Sequence, residues 1–562
     1  YKRQYLTRAL SSAPGNPQIA KILGATRLKL KQPARAAQVL SGVVDDGTSD
    51  PQLLALLGTA YLQAGDNSKG AEYIQKAVEL DPDQALLRTQ LAVGRIATGD
   101  TAAAITELES AVALGQDVLQ ADVLLVLSYI QKGEFEKAVD AAQTLEQRMP
   151  ASPIPHNLAG LAYLAERDYA RAGQKFDQAL EEDPEFLVAY MNHARLALMT
   201  GDAESAAAAY QEVIARDPKH LGAMLGLAGL ASANNDAQGA EAWLRRANGA
   251  DPAATKPMLL LAEHYLRQGS GLKALGVLSG MSPEQSELPA VLRVRGMAQL
   301  QSGDFASAMH TLRILADRQP NSIEAWFQLA RAQVAAGDLS AARSSFGRAI
   351  ALDVDHRVPI VWAGLGELEL RDRQYDQALE LAQQIKVNFP DSVYGHDIEA
   401  AAQRGKGQPE AALAATEAAL QIENTDVRIN GLASMLAAAG QVERAIERLE
   451  DWLKDNPDQG LVWANLGRLR QQLGRDEAAL AAYEEALPAT TGNPVILNNM
   501  AWLYLDRDAE RALELASQAY QLAPARAEIV DTYGWVLFRQ GRRNAGLAAL
   551  QQALVIAPRN AE

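Results

Sequence analysis

The chain predicts an all-α fold, a right-handed superhelical α-solenoid of about sixteen helix-turn-helix repeats. Three observations predict it. Prolines recur at a fixed step: Pro150, Pro184, Pro218 and Pro252 are each 34 residues apart, as are Pro524 and Pro558, while Pro82 and Pro320 stand 68 away from Pro150 and Pro252. A Gly-Asp pair recurs at Gly65, Gly99, Gly201, Gly303 and Gly337. Composition is that of close-packed helices: 48% hydrophobic but only 6% aromatic, with no Cys, and rich in Ala and Leu, the strongest helix formers. By length alone, 562 residues suggest three or four domains of roughly 150 residues. Division by 34 gives about sixteen and a half units, the better account of a chain that repeats itself at that period.

Each element of the unit has a physical reason. Proline cannot continue a helix and pushes its predecessor out of helical geometry, so it closes the second helix; Asp precedes it in Asp81-Pro82, Asp183-Pro184, Asp217-Pro218 and Asp251-Pro252. In the Gly-Asp pair, Gly takes the left-handed cap that ends the first helix and Asp starts the second. Between these marks, the segment His156–Pro184 shows Leu158, Gly160, Tyr163, a turn at Arg167-Asp168, then Ala172, Phe176, Ala179 and Pro184. Small Gly160 and Ala172 suit a close helix crossing, and Tyr163 and Phe176 fill the space beside it. This pattern resembles the tetratricopeptide repeat, with W-x2-L-G-x2-Y on a first helix and A-x3-F-x2-A before Pro on a second. Trp326, Gly337-Asp338, Ala342, Phe346 and Ala349 echo it; so do Trp463, Leu466, Gly467, Ala479, Tyr483 and Ala486, and Gly58, Tyr61, Gly65-Asp66, Ala77 and Pro82.

Laid end to end, the units form a continuous array over residues 16–562, irregular near 270–285 and 506–512. Residues 1–15, with Leu6, Ala9 and Pro14, match the second helix of a preceding repeat, so both ends read as cuts through a longer array. One helical pair cannot bury both apolar faces, and stacking on its neighbours completes the core.

Charge and motifs exclude most chemistry. Lys and Arg total 53 against 69 Asp and Glu, a net charge of −16, opposite to what nucleic-acid binding demands; a local basic stripe, as at Arg542-Arg543, reads as part of a solvated acidic surface. Charges interrupt every apolar stretch short of the roughly 18 residues needed to span a bilayer. The seven histidines (His156, His193, His220, His264, His310, His356 and His396) form no H-x3-H or H-E-x2-H pair, so no helix face offers two metal ligands. Paired carboxylates such as Glu181-Glu182 and Glu484-Glu485 read as solvated helix ends. Gly269-Ser-Gly271-Leu-Lys-Ala274 approaches a dinucleotide fingerprint, but follows a helix where that motif needs a strand. No catalytic residue, cofactor or metal is expected.

Binding remains. In such arrays the first helix of each pair lines the concave face. Repeat phase places Asn157, Arg195, Arg331, Asn430, Arg468 and Gln471 there, with Asn498 and Trp502 in the fifteenth unit and Asp531, Trp535, Phe538 and Arg539 in the sixteenth. Aromatic rings beside amides and a carboxylate suit a polypeptide or a sugar face; equally, Trp502 and Trp535 pack between repeats, and scattered Arg and Asn form a solvated face.

The order of units resembles, beyond the generic repeat, the long tetratricopeptide proteins of bacterial PEP-CTERM/exosortase systems. The residues that carry this are DPQLLALLGTAYLQAGD (50–66), ALLRTQLAVGRIATGD (85–100), HLGAMLGLAGLA (220–231), NNMAWLYLDRDAERALELASQAYQLAP (498–524) and EIVDTYGWVLFRQGRRNAGLAALQQAL (528–554). The resemblance implies a non-catalytic periplasmic scaffold for proteins or peptides of exopolysaccharide assembly or export, or of PEP-CTERM sorting. Polysaccharide is a further ligand class, and membrane attachment would come only through an N-terminal anchor that this sequence lacks. Two alternatives stand beside it. A cytoplasmic adaptor or co-chaperone would want a clamp of Lys and Asn in adjacent units, and none is found. The repeat region of a larger glycosyltransferase would carry an Asn ladder, and only Asn192, Asn465 and Asn499 stand at its positions.

Overall fold

The computed structural model describes residues 15–45, 47–115, 118–490 and 492–557. They form thirty-three helices and no strand, an α-solenoid of paired helices. The chain packs as two compact units divided between His264 and Tyr265. The first holds seven helix pairs, from Pro17–Lys29 with Pro33–Ser41 to Leu221–Ala233 with Ala237–Ala250. The second holds eight, from Pro289–Gln301 with Phe305–Arg318 to Ala527–Arg539 with Arg543–Ile556. Between these in sequence lie Thr255–Arg267, the short Gly271–Leu278 and the single turn Pro283–Ser286. The second helix expected at 1–15 falls, but for Gly15, outside the described residues, as does Pro558.

Caps set the period. Gly65, Gly99, Gly201, Gly303 and Gly337 have φ of 89°, 86°, 80°, 81° and 84°, values open to Gly at little steric cost. Each following Asp then caps the second helix: the side chains of Asp66, Asp100, Asp202, Asp304 and Asp338 accept from the backbone N–H of Lys69, Ala103, Ser205, Ser307 and Ala341. At the far end the Asp before Pro makes the return turn. Asp183 Oδ1 accepts from Glu185 N–H at 2.9 Å and Asp217 Oδ1 from Lys219 N–H at 3.0 Å, while the Asp183 and Asp217 carbonyls accept from Phe186 and His220.

These caps, with Asp168, whose Oδ1 accepts from Arg171 N–H at 2.9 Å to cap Tyr169–Glu182, make the fold sensitive to acid. Asp66 is held below its ordinary 3.8 by the Lys69 ammonium and amide, Asp168 by the Arg171 amide and guanidinium, and Asp202 by the Ser205 hydroxyl and amide. A carboxyl whose folded pKa is depressed contributes stability above its unfolded pKa and loses it as pH falls through the folded one. The melting temperature is therefore expected to fall as the solution is taken below about pH 4. Replacing Asp66, Asp168 and Asp202 with Ser, which caps without titrating, should make that fall shallower. Thermal melts by circular dichroism across the acid range check this; an unchanged slope would remove the caps as its cause.

The core is built at the crossings. A Cβ on Gly160 would lie 2.4 Å from Phe176 Cε1, and one on Gly58 2.5 Å from Ile74 Cγ1 and 2.7 Å from the Gly70 carbonyl. Phe176 and Ile74 are fully buried, so the glycines let the second helix come close enough to seat them. Within each compact unit a helix packs on its partner and on the next helix, and many first helices also touch the following first helix. Among the described residues no contact reaches further along the chain in any number, the quasi-one-dimensional order of a repeat protein.

The irregular stretch has local reasons. Helix Gly271–Leu278 is 8 residues long, and Ser282 and Gln285 form a capping box that starts the single turn after it. Gly269 has φ 72°, and a Cβ on Gly271 would stand 2.6 Å from the Ala298 carbonyl. The two glycines of the apparent dinucleotide motif thus serve a turn and a helix contact. Near 506–512 the first helix stops at Tyr504, and Asp508 caps Ala509–Leu522 by accepting from Arg511 N–H at 3.0 Å.

Candidate partner-binding face

The small residue at each crossing gives the first helices a common register. Counting from Gly160, Ala194, Ala330, Ala433, Gly467, Ala501 and Gly534, the sequence-selected residues fall at few positions. Asn157, Asn430, Asn498 and Asp531 stand three before it; Arg195, Arg331, Arg468, Trp502 and Trp535 one after; Gln471 and Phe538 four after; Arg539 five after. Steps of three and four residues return to one helical face, so all twelve belong to the same side of their helices.

Amides on this face bond from repeat to repeat. Asn192 Nδ2 donates to Asn157 Oδ1 at 2.7 Å, and Asn465 Nδ2 to Asn430 Oδ1 at 3.0 Å. Arg468 donates to Asn465 at 2.8 Å. Next to it, the Tyr483 hydroxyl donates to Gln471 at 2.9 Å and accepts from Asn499 at 3.0 Å; burial pushes this phenol's pKa up. Asn157 is only 5% exposed, so it acts on this face as a rung that fixes Asn192. Arg195 and Arg468 stand exposed.

The last two repeats carry the aromatic part. Trp502 and Trp535 are 49% and 36% exposed, too open for side chains wedged between repeats. Trp535 stacks on Phe538 with ring centroids 5.9 Å apart, and Arg539 donates to Asp506 at 2.5 Å. Asn498 and Asp531 meet with Glu528 and Thr532 in a cleft of about 290 Å³. Asn498 Oδ1 is buried there without a partner, and the Asp531 carboxyl, though exposed, is raised by partial desolvation against the cleft wall. The cleft offers acceptors, which suits N–H groups of a polypeptide.

Sequence reasoning missed Tyr483 as a link and Gln328, which accepts from Arg331 at 3.2 Å. The signal for the rungs is a spacing of 35 between amides, one more than the repeat. Among the described residues no three His, Asp or Glu side chains gather as a metal site, and no helix is long and apolar enough to cross a membrane.

Helix pairs stacked through small-residue crossings, with a variable polar face on the first helices, define a repeat protein of the α-solenoid class. The chain belongs to the tetratricopeptide repeat family: that repeat matches it in one form at residues 23–85, 55–118, 89–153, 123–185, 293–353 and 327–393, and in another at 197–254, 403–469 and 436–503. Repeats of this family generally bind protein partners. Among curated proteins the chain is similar to Protein FlbA of Caulobacter vibrioides (strain ATCC 19089 / CIP 103742 / CB 15), 28% identical over 201 residues that make up 36% of this chain and 33% of FlbA. The match thus spans about a third of that relative's length. Among solved structures, a chain of the crystal structure of the APC/C hetero-tetramer Cut9-Hcn1 aligns at 16% identity and a TM-score of 0.33, over 87% of this chain and 96% of that one.

Proposed function

We propose that the chain is a non-catalytic scaffold that holds extended segments of partner proteins along its first-helix face. The observation that supports this is the shared register of twelve polar and aromatic side chains on one side of the first helices. Their amides and arginines match peptide groups and carboxylates, and exposed Trp rings supply apolar area at low entropic cost. For its setting we propose bacterial exopolysaccharide assembly or export, or sorting of PEP-CTERM proteins, in the periplasm; the resemblance of segments 50–66, 85–100, 220–231, 498–524 and 528–554 supports that reading.

Two measurements test these parts separately. A random peptide library is selected on the whole protein, and the recovered peptides are assayed against a variant carrying Trp535→Ala and Asp531→Ala. Binding to the C-terminal repeats is expected to weaken tenfold or more, since a central aromatic anchor is commonly worth ~2 kcal/mol, while helical content stays unchanged. Loss of helicity would mean that Trp535 holds the fold instead. For the setting, deletion of the gene in its own bacterium should reduce secreted polysaccharide or leave PEP-CTERM proteins unsorted. A normal outcome on both counts would remove the setting and leave the binding role to a cytoplasmic adaptor or to the repeat region of a glycosyltransferase.

A further inference from the structure

The tenth and eleventh repeats enclose a cavity on this face. Two positions before the crossing residue, some first helices carry the amides Asn192, Gln328, Asn465 and Asn499, and others a glycine: Gly431 before Ala433, facing open space, and Gly364 before Gly366 in helix Pro359–Arg371. With no side chain at that point, a hole opens onto the half-buried Phe327 ring and reaches the edge of the buried Phe346. A Cβ on Gly364 would lie 2.6 Å from Phe346 Cε1 and 3.3 Å from Phe327 Cε2. Those rings stand 6.0 Å apart, tilted by 59°. The resulting cavity is about 810 Å³, within the ~300–1,000 Å³ of clefts that take small ligands and roomy enough for a large side chain together with its flanking backbone. Phe305 and Ile360 also line it, 37% and 41% exposed.

Charge surrounds this apolar floor. Arg331 and Glu367 each stand one residue past the crossing and Arg371 five past, and all three line the cavity. Arg331 bonds to neutral Gln328 and lies 5.8 Å from the Phe327 ring centre; Arg371 donates to the Val334 carbonyl at 3.0 Å. Neither guanidinium meets a carboxylate among the described residues. Arg343, on the neighbouring second helix, is by contrast held by both Glu369 and Asp372. Two exposed cations at the mouth of an aromatic cavity complement an anion carried beside an apolar group.

We infer that this cavity takes one large apolar side chain, aromatic by preference, from an extended segment of a partner protein, with a flanking Asp or Glu of that segment bound by Arg331 and Arg371. The incoming ring packs against Phe327 and Phe346, and Glu367 accepts from a main-chain N–H of the same segment. This rests on the proposed role of the first-helix face in holding polypeptide, and adds to it a location and a sequence preference.

The probe is a fluorescein-labelled, C-terminally amidated peptide, Gly-Ser-Asp-Phe-Asp-Ser-Gly, titrated with the full chain by anisotropy. One control peptide has Ala for Phe and another Lys for both Asp. The parent peptide is expected to bind, each control at least tenfold more weakly. The exposed changes Arg331→Glu with Arg371→Glu, and separately Ile360→Asp, should each weaken the parent peptide at least tenfold with helical content unchanged. No binding of the parent peptide, equal binding of parent and controls, or indifference to these substitutions overturns the inference. So does self-association in sedimentation that Arg331→Glu abolishes, which would make a second copy the occupant. If the probe fails while library-selected peptides still respond to Trp535→Ala with Asp531→Ala, the scaffold reading stands and only this site falls; if no peptide binds the face, both fall.

Discussion

Deleting residues 187–220 should leave a soluble helical protein, whereas deleting 187–203 should not. The first deletion removes one first helix, Leu187–Thr200, and one second helix, Ala203–Arg216. It joins Phe186 to Leu221 in unbroken phase, because Phe186 stands in its turn as His220 does in the next. The N–H of Phe186 donates to the Asp183 carbonyl at 3.1 Å and that of His220 to Asp217 at 3.0 Å. Each repeat packs mainly on its neighbours, so the shortened chain repeats the same interface. The shorter deletion leaves Tyr210, Val213 and Ile214, at most 8% exposed in the intact fold, without Leu187, Tyr190 and Met191 on which their cluster packs. At roughly 1.5–3 kcal/mol for each large apolar side chain returned to water, the loss is about 5 kcal/mol or more. It also puts a second-helix sequence where a first helix must stand. Size-exclusion chromatography and circular dichroism distinguish the outcomes, and equal tolerance of the two deletions would sink the repeat as the folding unit.

The same local logic decides what could be read from the sequence. Pro184, Pro218 and the Gly-Asp pairs were legible because each acts through its own backbone: a missing N–H, a positive φ, a side chain reaching three residues on. Gly160 with Phe176 was legible because a fixed spacing inside one pair brings them together. The Asn157–Asn192 rung was not, since adjacent first helices are staggered and the partner of an amide lies 35 residues away. Gly364 was obscure for another reason. In sequence it looks like one more small core residue beside Gly366, and only the packing shows that Gly366 meets Ile398 while Gly364 lies against the Phe346 ring at the cavity wall. For Trp502 and Trp535, composition and phase allowed either packing or display, and their exposure follows from standing one residue past the crossing.

Charged joints between repeats were likewise invisible to spacing, and one of them should be decisive for stability. Arg343, on helix Leu339–Leu352, donates from Nε and Nη2 to the two Glu369 oxygens at 2.6 and 2.7 Å, and from Nη2 to Asp372 at 2.9 Å. Glu369 and Asp372 both raise the guanidinium's pKa, holding it charged. Glu369 is 5% exposed and lies on the first helix of the next repeat, so this fork joins two repeats. Arg343→Leu would leave a buried carboxylate beside a second one. Breaking such a pair from one side costs about 3–5 kcal/mol, and the partial exposure of Arg343 favours about 3 kcal/mol here. Amide exchange in helices Leu339–Leu352 and Pro359–Arg371 should then quicken roughly a hundredfold, while helix Pro153–Glu166 in the other compact unit is unchanged. Arg343→Leu combined with Glu369→Leu should recover most of the loss, because the stranded charge goes with its partner. If the double variant exchanges as fast as the single one, the joint owes its stability to side-chain packing and not to the ion pair.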